Sequence, residues 1–192
     1  MAFRVLLFGF LEPRKNFRAV IEAMGSREGL ELTISGEPRN GDQLIVDGIR
    51  AMTAHHPNVH FFPEYRQKSE AFSECDVVII PYDYSFGFSG VIADAIHFGK
   101  PFLCSYLPNF KEVFDHYPYW MDLPLTPESV LAGLRRLEGR LDHARQCMKV
   151  LSQQTSWSEA SHKTTSLYQD LVGAGRLARD PAFAPARQLF RR

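Results

Sequence analysis

Two short runs in this chain, Val5-Leu6-Leu7-Phe8 and Val77-Val78-Ile79-Ile80, contain no polar side chain. Successive residues of a strand point to opposite faces. A run that is apolar at every position therefore predicts a strand covered on both faces, as in a parallel sheet held between helices. Each run stops at a chain breaker, Gly9 or Pro81, and a helical pattern follows. After the first come Phe17, Val20, Ile21 and Met24 at helical spacing, with Asn16 as N-cap and Gly25 just past the end. After the second comes Pro81 to Pro101, a loop of small residues that enters a helix running up to Gly99.

The same alternation continues along the chain. Leu30 to Ile34 reads as a strand closing on Ser35-Gly36, Val59 to Phe62 as one stopped by Pro63, and Phe102 to Ser105 as a fifth, with a weak strand near Tyr119 to Met121. Between them lie helical patterns through Leu44 to Met52, Ser69 to Glu74 and Asn109 to Phe114. Thr126, Pro127 and Glu128 open a further helix, and Ser156-Trp157-Ser158-Glu159 is a capping box for the last. Strands alternating with helices predict an α/β fold. The expected architecture is a single Rossmann-like domain over residues 1–172, a parallel sheet of five to six strands with helices on both faces and C-terminal helices. Residues 173–192, with two prolines and five arginines and little apolar periodicity, are expected to form a flexible tail.

Composition narrows the function classes. Twenty-two basic and 22 acidic side chains in 192 residues leave no whole-chain field toward nucleic acid or an anionic membrane, so an anion site must be local. No apolar run approaches the roughly 20 residues of a membrane span, and Met1 to Gly9 is too short for a signal peptide. A cytoplasmic location is expected. Cys75, Cys104 and Cys147 have no metal-type spacing and read as buried reduced thiols, and the pair His55-His56 points to different faces, so no metal is expected. There is no Gly-x-Gly-x-x-Gly after the first strand and no Walker lysine motif.

The phosphate cradle falls instead after the strand at Val77 to Ile80. Strand, small-residue loop and helix N-terminus together present unpaired N–H groups and partial positive charge to an anion. Asp94 lies one turn after Gly90, opposite Ile92 and Ile96, so it can face a ligand and would suit a ribose diol. Arg14 and Lys15 sit where the first strand ends, at what would be the functional edge of a doubly wound sheet. His97, one turn beyond Asp94, reads as structural.

Seven segments in order carry a resemblance: Leu7-Phe8-Gly9-Phe10-Leu11-Glu12-Pro13-Arg14-Lys15-Asn16, Leu32 to Gly36, Asn58 to Phe61, Glu74 to Pro81, Asp94 to Pro101, Pro108 to Val113, and Ser156-Trp157 before Tyr168. Over residues 3 to about 172 the chain resembles the C-terminal half of glycosyltransferase family 4, the glycosyl transferases of group 1. That family has the GT-B fold, two Rossmann-like domains with the active site between them. The resemblance implies a nucleotide-sugar donor domain, transferring sugar from a nucleoside-diphosphate sugar to an acceptor hydroxyl without a metal, as in polysaccharide biosynthesis. It implies that Lys15 binds the donor diphosphate beside Gly9, that N–H groups around Ser89 and Gly90 hold it from the other side, and that Asp94 binds the ribose. Tyr65, in the matching turn Pro63 to Arg66, would lie against the nucleobase. The implied partner is an N-terminal acceptor-binding domain, in cis or as a separate subunit, and no nucleic acid.

Two positions depart from the family pattern. Phe86 stands where the first acid of the paired motif would meet the donor sugar, and Phe10 where an arginine often accompanies the lysine. A phenylalanine neither accepts a sugar hydroxyl nor neutralises phosphate. Asp83 and Ser85, in the same loop, are the alternatives for the first. These departures favour a second reading, a non-catalytic GT-B-derived nucleotide-binding or interaction module. A third, a receiver-type domain, would need an acidic cluster after its first strand, where Gly9, Phe10 and Leu11 stand.

Overall fold

The computed structural model describes residues 2–85, 87–114 and 116–173. Six strands, β1 (Phe3–Phe8), β2 (Leu30–Ser35), β3 (Val59–Phe62), β4 (Val77–Ile80), β5 (Phe102–Ser105) and β6 (Trp120–Met121), form one sheet in the order β3-β2-β1-β4-β5-β6. Every neighbouring pair is parallel. The two all-apolar runs are the central pair, β1 and β4, in register through Val5 with Val77 and Leu6 with Val78, and all four residues are buried.

Parallel pairing requires a crossover between successive strands, and the helical segments supply them. These are α1 (Phe17–Met24), α2 (Gln43–Thr53), α3 (Lys68–Ser73), α4 (Gly90–His97) and α5 (Pro108–Val113), followed by α6 (Pro127–Glu138), α7 (Leu141–Gln154) and α8 (Trp157–Gly173). One helical layer joins α1 to α2 and α6. In the other, Phe72 of α3 sets its ring 5.2 Å from that of Phe8 and 4.9 Å from that of Phe98, just past α4. The architecture is the Rossmann-like α/β domain expected from the alternation. The chain divides into two compact units, Met1–Ser152, which carries the whole sheet, and Gln153–Arg192. Gly173, where the expected tail begins, closes α8 instead, and the rest of that tail, residues 174–192, lies outside the described residues.

Thr126 caps α6 as expected, with Pro127 and Glu128 in its first turn: it accepts from the Ser129 N–H at 3.2 Å, and its own N–H donates to Ser129 Oγ at 3.0 Å. Asn16 stands at the N-cap position of α1 yet makes no capping bond. The chain reaches it from a 3-10 turn, Pro13–Lys15, and must turn through the left-handed region, φ 43°, which asparagine tolerates. Its amide is thereby directed away from α1 and donates to the Pro81 carbonyl at 3.2 Å. Of the three thiols, Cys75 and Cys104 are buried as expected, whereas Cys147 is half-buried.

Candidate functional site: a cleft at the switch point of the sheet

Connections leave β1 toward β2 and β4 toward β5, in opposite directions across the sheet, so a crevice opens beyond their C-terminal ends. The wall after β1 is built by backbone. Gly9, at φ +87°, donates to Ser35, and the loop after β2 is laced to it by Leu11 N–H to Glu37 and Arg39 N–H to Leu11. A Cβ at Gly36 would overlap the Gly9 carbonyl, so only glycine permits this approach. The 3-10 turn then folds Lys15 back under the loop, where it is 2% exposed and donates from Nζ to the Phe8 carbonyl at 2.7 Å. Burial pulls its pKa from 10.5 down to about 7, with Glu12 opposing that shift and Arg14 and Arg39 adding to it.

The facing wall is the loop after β4. Asn16 holds it at Pro81, and Asn109, from α5, donates to the carbonyls of Ser85 and Gly87 at 3.4 and 3.1 Å. The buried Tyr82 hydroxyl meets Ser89 Oγ at 3.4 Å, and its ring lies beneath the Arg14 guanidinium at 4.2 Å. Ser89 is the N-cap residue of α4, with its side chain engaged by Tyr82 rather than capping. The first bonds back to Ser89 come from Ile92 and Ala93, and the N–H groups of Gly90 and Val91 have no acceptor among the described residues. Ile92 and Ile96 are buried and Asp94 lines the cleft, the split of faces expected of α4.

All six residues expected to bind a donor, Gly9, Lys15, Tyr65, Ser89, Gly90 and Asp94, line this one cleft of about 410 Å³. Asp94 is not idle: Lys68, at the start of α3, donates to its Oδ1 at 2.9 Å and is ion-paired with its Oδ2 at 2.9 Å. Tyr65 is 62% exposed at the rim. Of the two alternatives in the β4 loop, Ser85 lines the cleft and Asp83 is exposed outside its lining, while Phe86 lies outside the described residues. His97 stays out of the cleft against Phe98.

Sequence reasoning missed Glu12, Gly36, Arg39, Lys68 and Tyr82. Glu12 and Gly36 lay inside quoted motifs, but only a folded chain shows that the acid is buried and the glycine touches backbone. Among the described residues no group of three or more His, Cys, Asp or Glu is placed to hold a metal, and no helix is long and apolar enough to cross a membrane.

Comparisons with known proteins bear on the fold and the family. Residues 2–136 match the family model described as glycosyl transferases group 1. No curated protein matches the sequence. Among solved structures, HepE of Anabaena in complex with UDP-glucose superposes with a TM-score of 0.73 at 18% identity, covering 88% of this chain and 49% of that one. The catalytic domain of starch synthase IV from Arabidopsis thaliana, bound to ADP and acarbose, gives 0.64 at 16%, covering 90% and 39%. The C-terminal domain of the group 1 family protein LpcC from Francisella tularensis gives 0.60 at 16%, covering 80% and 85%. At these identities the likeness establishes the fold, and this chain spans about half the length of HepE.

Proposed function

The chain belongs to the glycosyl transferases group 1 family, and from that premise we propose that it is the nucleotide-sugar donor half of a sugar transferase. The observation that carries the reading is the convergence of Lys15, the N-terminus of α4 and Asp94 on one cleft at the switch point between β1 and β4. In this reading a nucleoside diphosphate lays its phosphates between Lys15 and the N–H groups of Gly90 and Val91. Its ribose takes Asp94, displacing Lys68, and its base lies toward Tyr65. As an acceptor hydroxyl attacks the anomeric carbon, charge accumulates on the leaving diphosphate, and preorganised cations and N–H dipoles stabilise it. Lysine and helix terminus supply that stabilisation without a metal. The acceptor hydroxyl and a general base come from an acceptor-binding domain, in cis or as a separate subunit, and the work is done in the cytoplasm, in polysaccharide assembly.

Calorimetric titration with UDP, GDP and ADP tests the reading: one of them binds, and Lys15→Ala removes most of the affinity. Silence across all three would instead favour a non-catalytic module, the reading to which Phe10, exposed on the cleft wall where the family often has arginine, lends weight.

A further inference from the structure

Glu12 is 8% exposed on the cleft wall, and each of its oxygens is taken by a different guanidinium. Arg14 donates from Nε to Oε2 at 2.5 Å, and Arg39, from the loop after β2, donates from Nε to Oε1. Both guanidiniums rest on aromatic faces, Arg14 on Tyr82 at 4.2 Å and Arg39 on Phe10 at 5.2 Å. A guanidinium fixed through Nε and stacked on a ring has little rotational freedom left, and its Nη groups form a planar fork suited to phosphoryl oxygens. The Nη groups of Arg39 meet no acceptor among the described residues, and Arg14 spends one only weakly, on the Tyr84 carbonyl at 3.5 Å. Both arginines line the cleft with Lys15 and lie close enough for their charges to weigh on it.

An ordinary exposed ion pair contributes little and explains a tie between two loops. It does not explain two guanidiniums sharing one buried carboxylate beside Lys15, whose charged form they disfavour, an arrangement that an incoming anion would relieve. We propose that Arg14 and Arg39, splayed on buried Glu12, complete with Lys15 a preorganised cation cluster that binds the phosphoryl groups of a diphosphate, with Glu12 as its positioning residue. Arg39 thus reaches the cleft from β2, stacked on the phenyl ring of Phe10, and restores the positive charge that the phenylalanine does not carry. The inference deepens the donor-binding reading and rests on it for the identity of the ligand, but its anion chemistry is testable without a nucleotide.

The experiment uses the whole chain with pyrophosphate as the first probe and UDP, ADP and uridine as the others, following thermal shift and calorimetry. Pyrophosphate raises the melting temperature of the wild type, and Arg39→Ala and Arg14→Ala each weaken pyrophosphate and diphosphate binding tenfold or more, with Arg39→Lys recovering part of the loss. Glu12→Gln separates two roles by sign. Removing a negative charge beside an anion site strengthens binding if Glu12 only neutralises, whereas a positioning role makes the same change weaken it. Far-UV and near-UV circular dichroism confirm that each variant is folded. Arginine-dependent pyrophosphate binding with no nucleoside diphosphate bound would leave the cluster standing and sink the donor reading. Wild-type affinity retained within twofold by both arginine variants, tighter binding by Glu12→Gln, or no response to pyrophosphate or any diphosphate, overturns the cluster.

Discussion

At the scale of single residues the cleft rests on one buried lysine and one pair of glycines. Lys15 has a folded pKa of about 7 against an ordinary 10.5, so between those values the unfolded chain holds a proton that the folded chain has released. Stability therefore rises with pH in this window, by at most about 1.4 kcal/mol per unit for this one group. Urea titrations at pH 7 and 8 should show the rise in the wild type and its loss in Lys15→Met, and equal slopes would refute the assignment. Binding reverses the balance, because an anion beside Lys15 favours its charged form. Diphosphate affinity should fall as pH is raised from 6 to 9, with proton uptake visible as a dependence of the calorimetric heat on buffer ionisation. The Gly9–Gly36 contact makes a second case. Gly36→Ala forces the loops after β1 and β2 apart, since the added methyl meets backbone rather than a side chain that could move. It should destabilise by about 2–4 kcal/mol in chemical denaturation, and a loss below 0.5 kcal/mol would mean that the loops part freely. Legible beforehand were the identity and order of Gly9 and Lys15. The protonation balance of Lys15 was not, because it depends on a burial that no local pattern encodes.

At the scale of elements, the loop between β4 and α4 is held by side chains from two other segments, Asn16 before α1 and Asn109 in α5. Neither bond is local, which is why the first was read as a helix cap. Asn109 donates to the Ser85 carbonyl and shares the Gly87 carbonyl with Ser85 Oγ, so Asn109→Ala should cost about 1 kcal/mol and speed amide exchange at residues 87–90. Hydrogen exchange by mass spectrometry checks this, and unchanged protection in that segment would show that the loop stands without its tie. The helices themselves were legible because their apolar stripes and caps are written within a few residues. Their docking order was not, because the strand order β3-β2-β1-β4-β5-β6 is set by pairings between segments far apart in the chain.

At the scale of the molecule, the proposal of a donor-binding half rests on the family relationship and the cleft at the switch point, and the chain spans about half the length of HepE. The expectation is that the purified 192-residue chain binds a nucleoside diphosphate with an affinity unchanged within twofold by EDTA, yet transfers no sugar from the corresponding donor until an acceptor-binding domain is supplied. Radiolabelled donor with a panel of acceptors tests the second statement, and sustained transfer by this chain alone would contradict it. What the sequence by itself determined is the α/β class, the sheet of alternating units and the places along the chain of six residues that line the cleft, because periodicity, breakers and motif order are properties of neighbouring residues. What only the tertiary structure decided is which charges confront one another. That Glu12 is buried between Arg14 and an Arg39 that lies 27 residues away, that Lys68 holds Asp94 across 26 residues, and that Lys15 is nearly stripped of water all follow from separate loops closing on one end of the sheet, and electrostatic energy depends on distance and burial rather than on position in the chain.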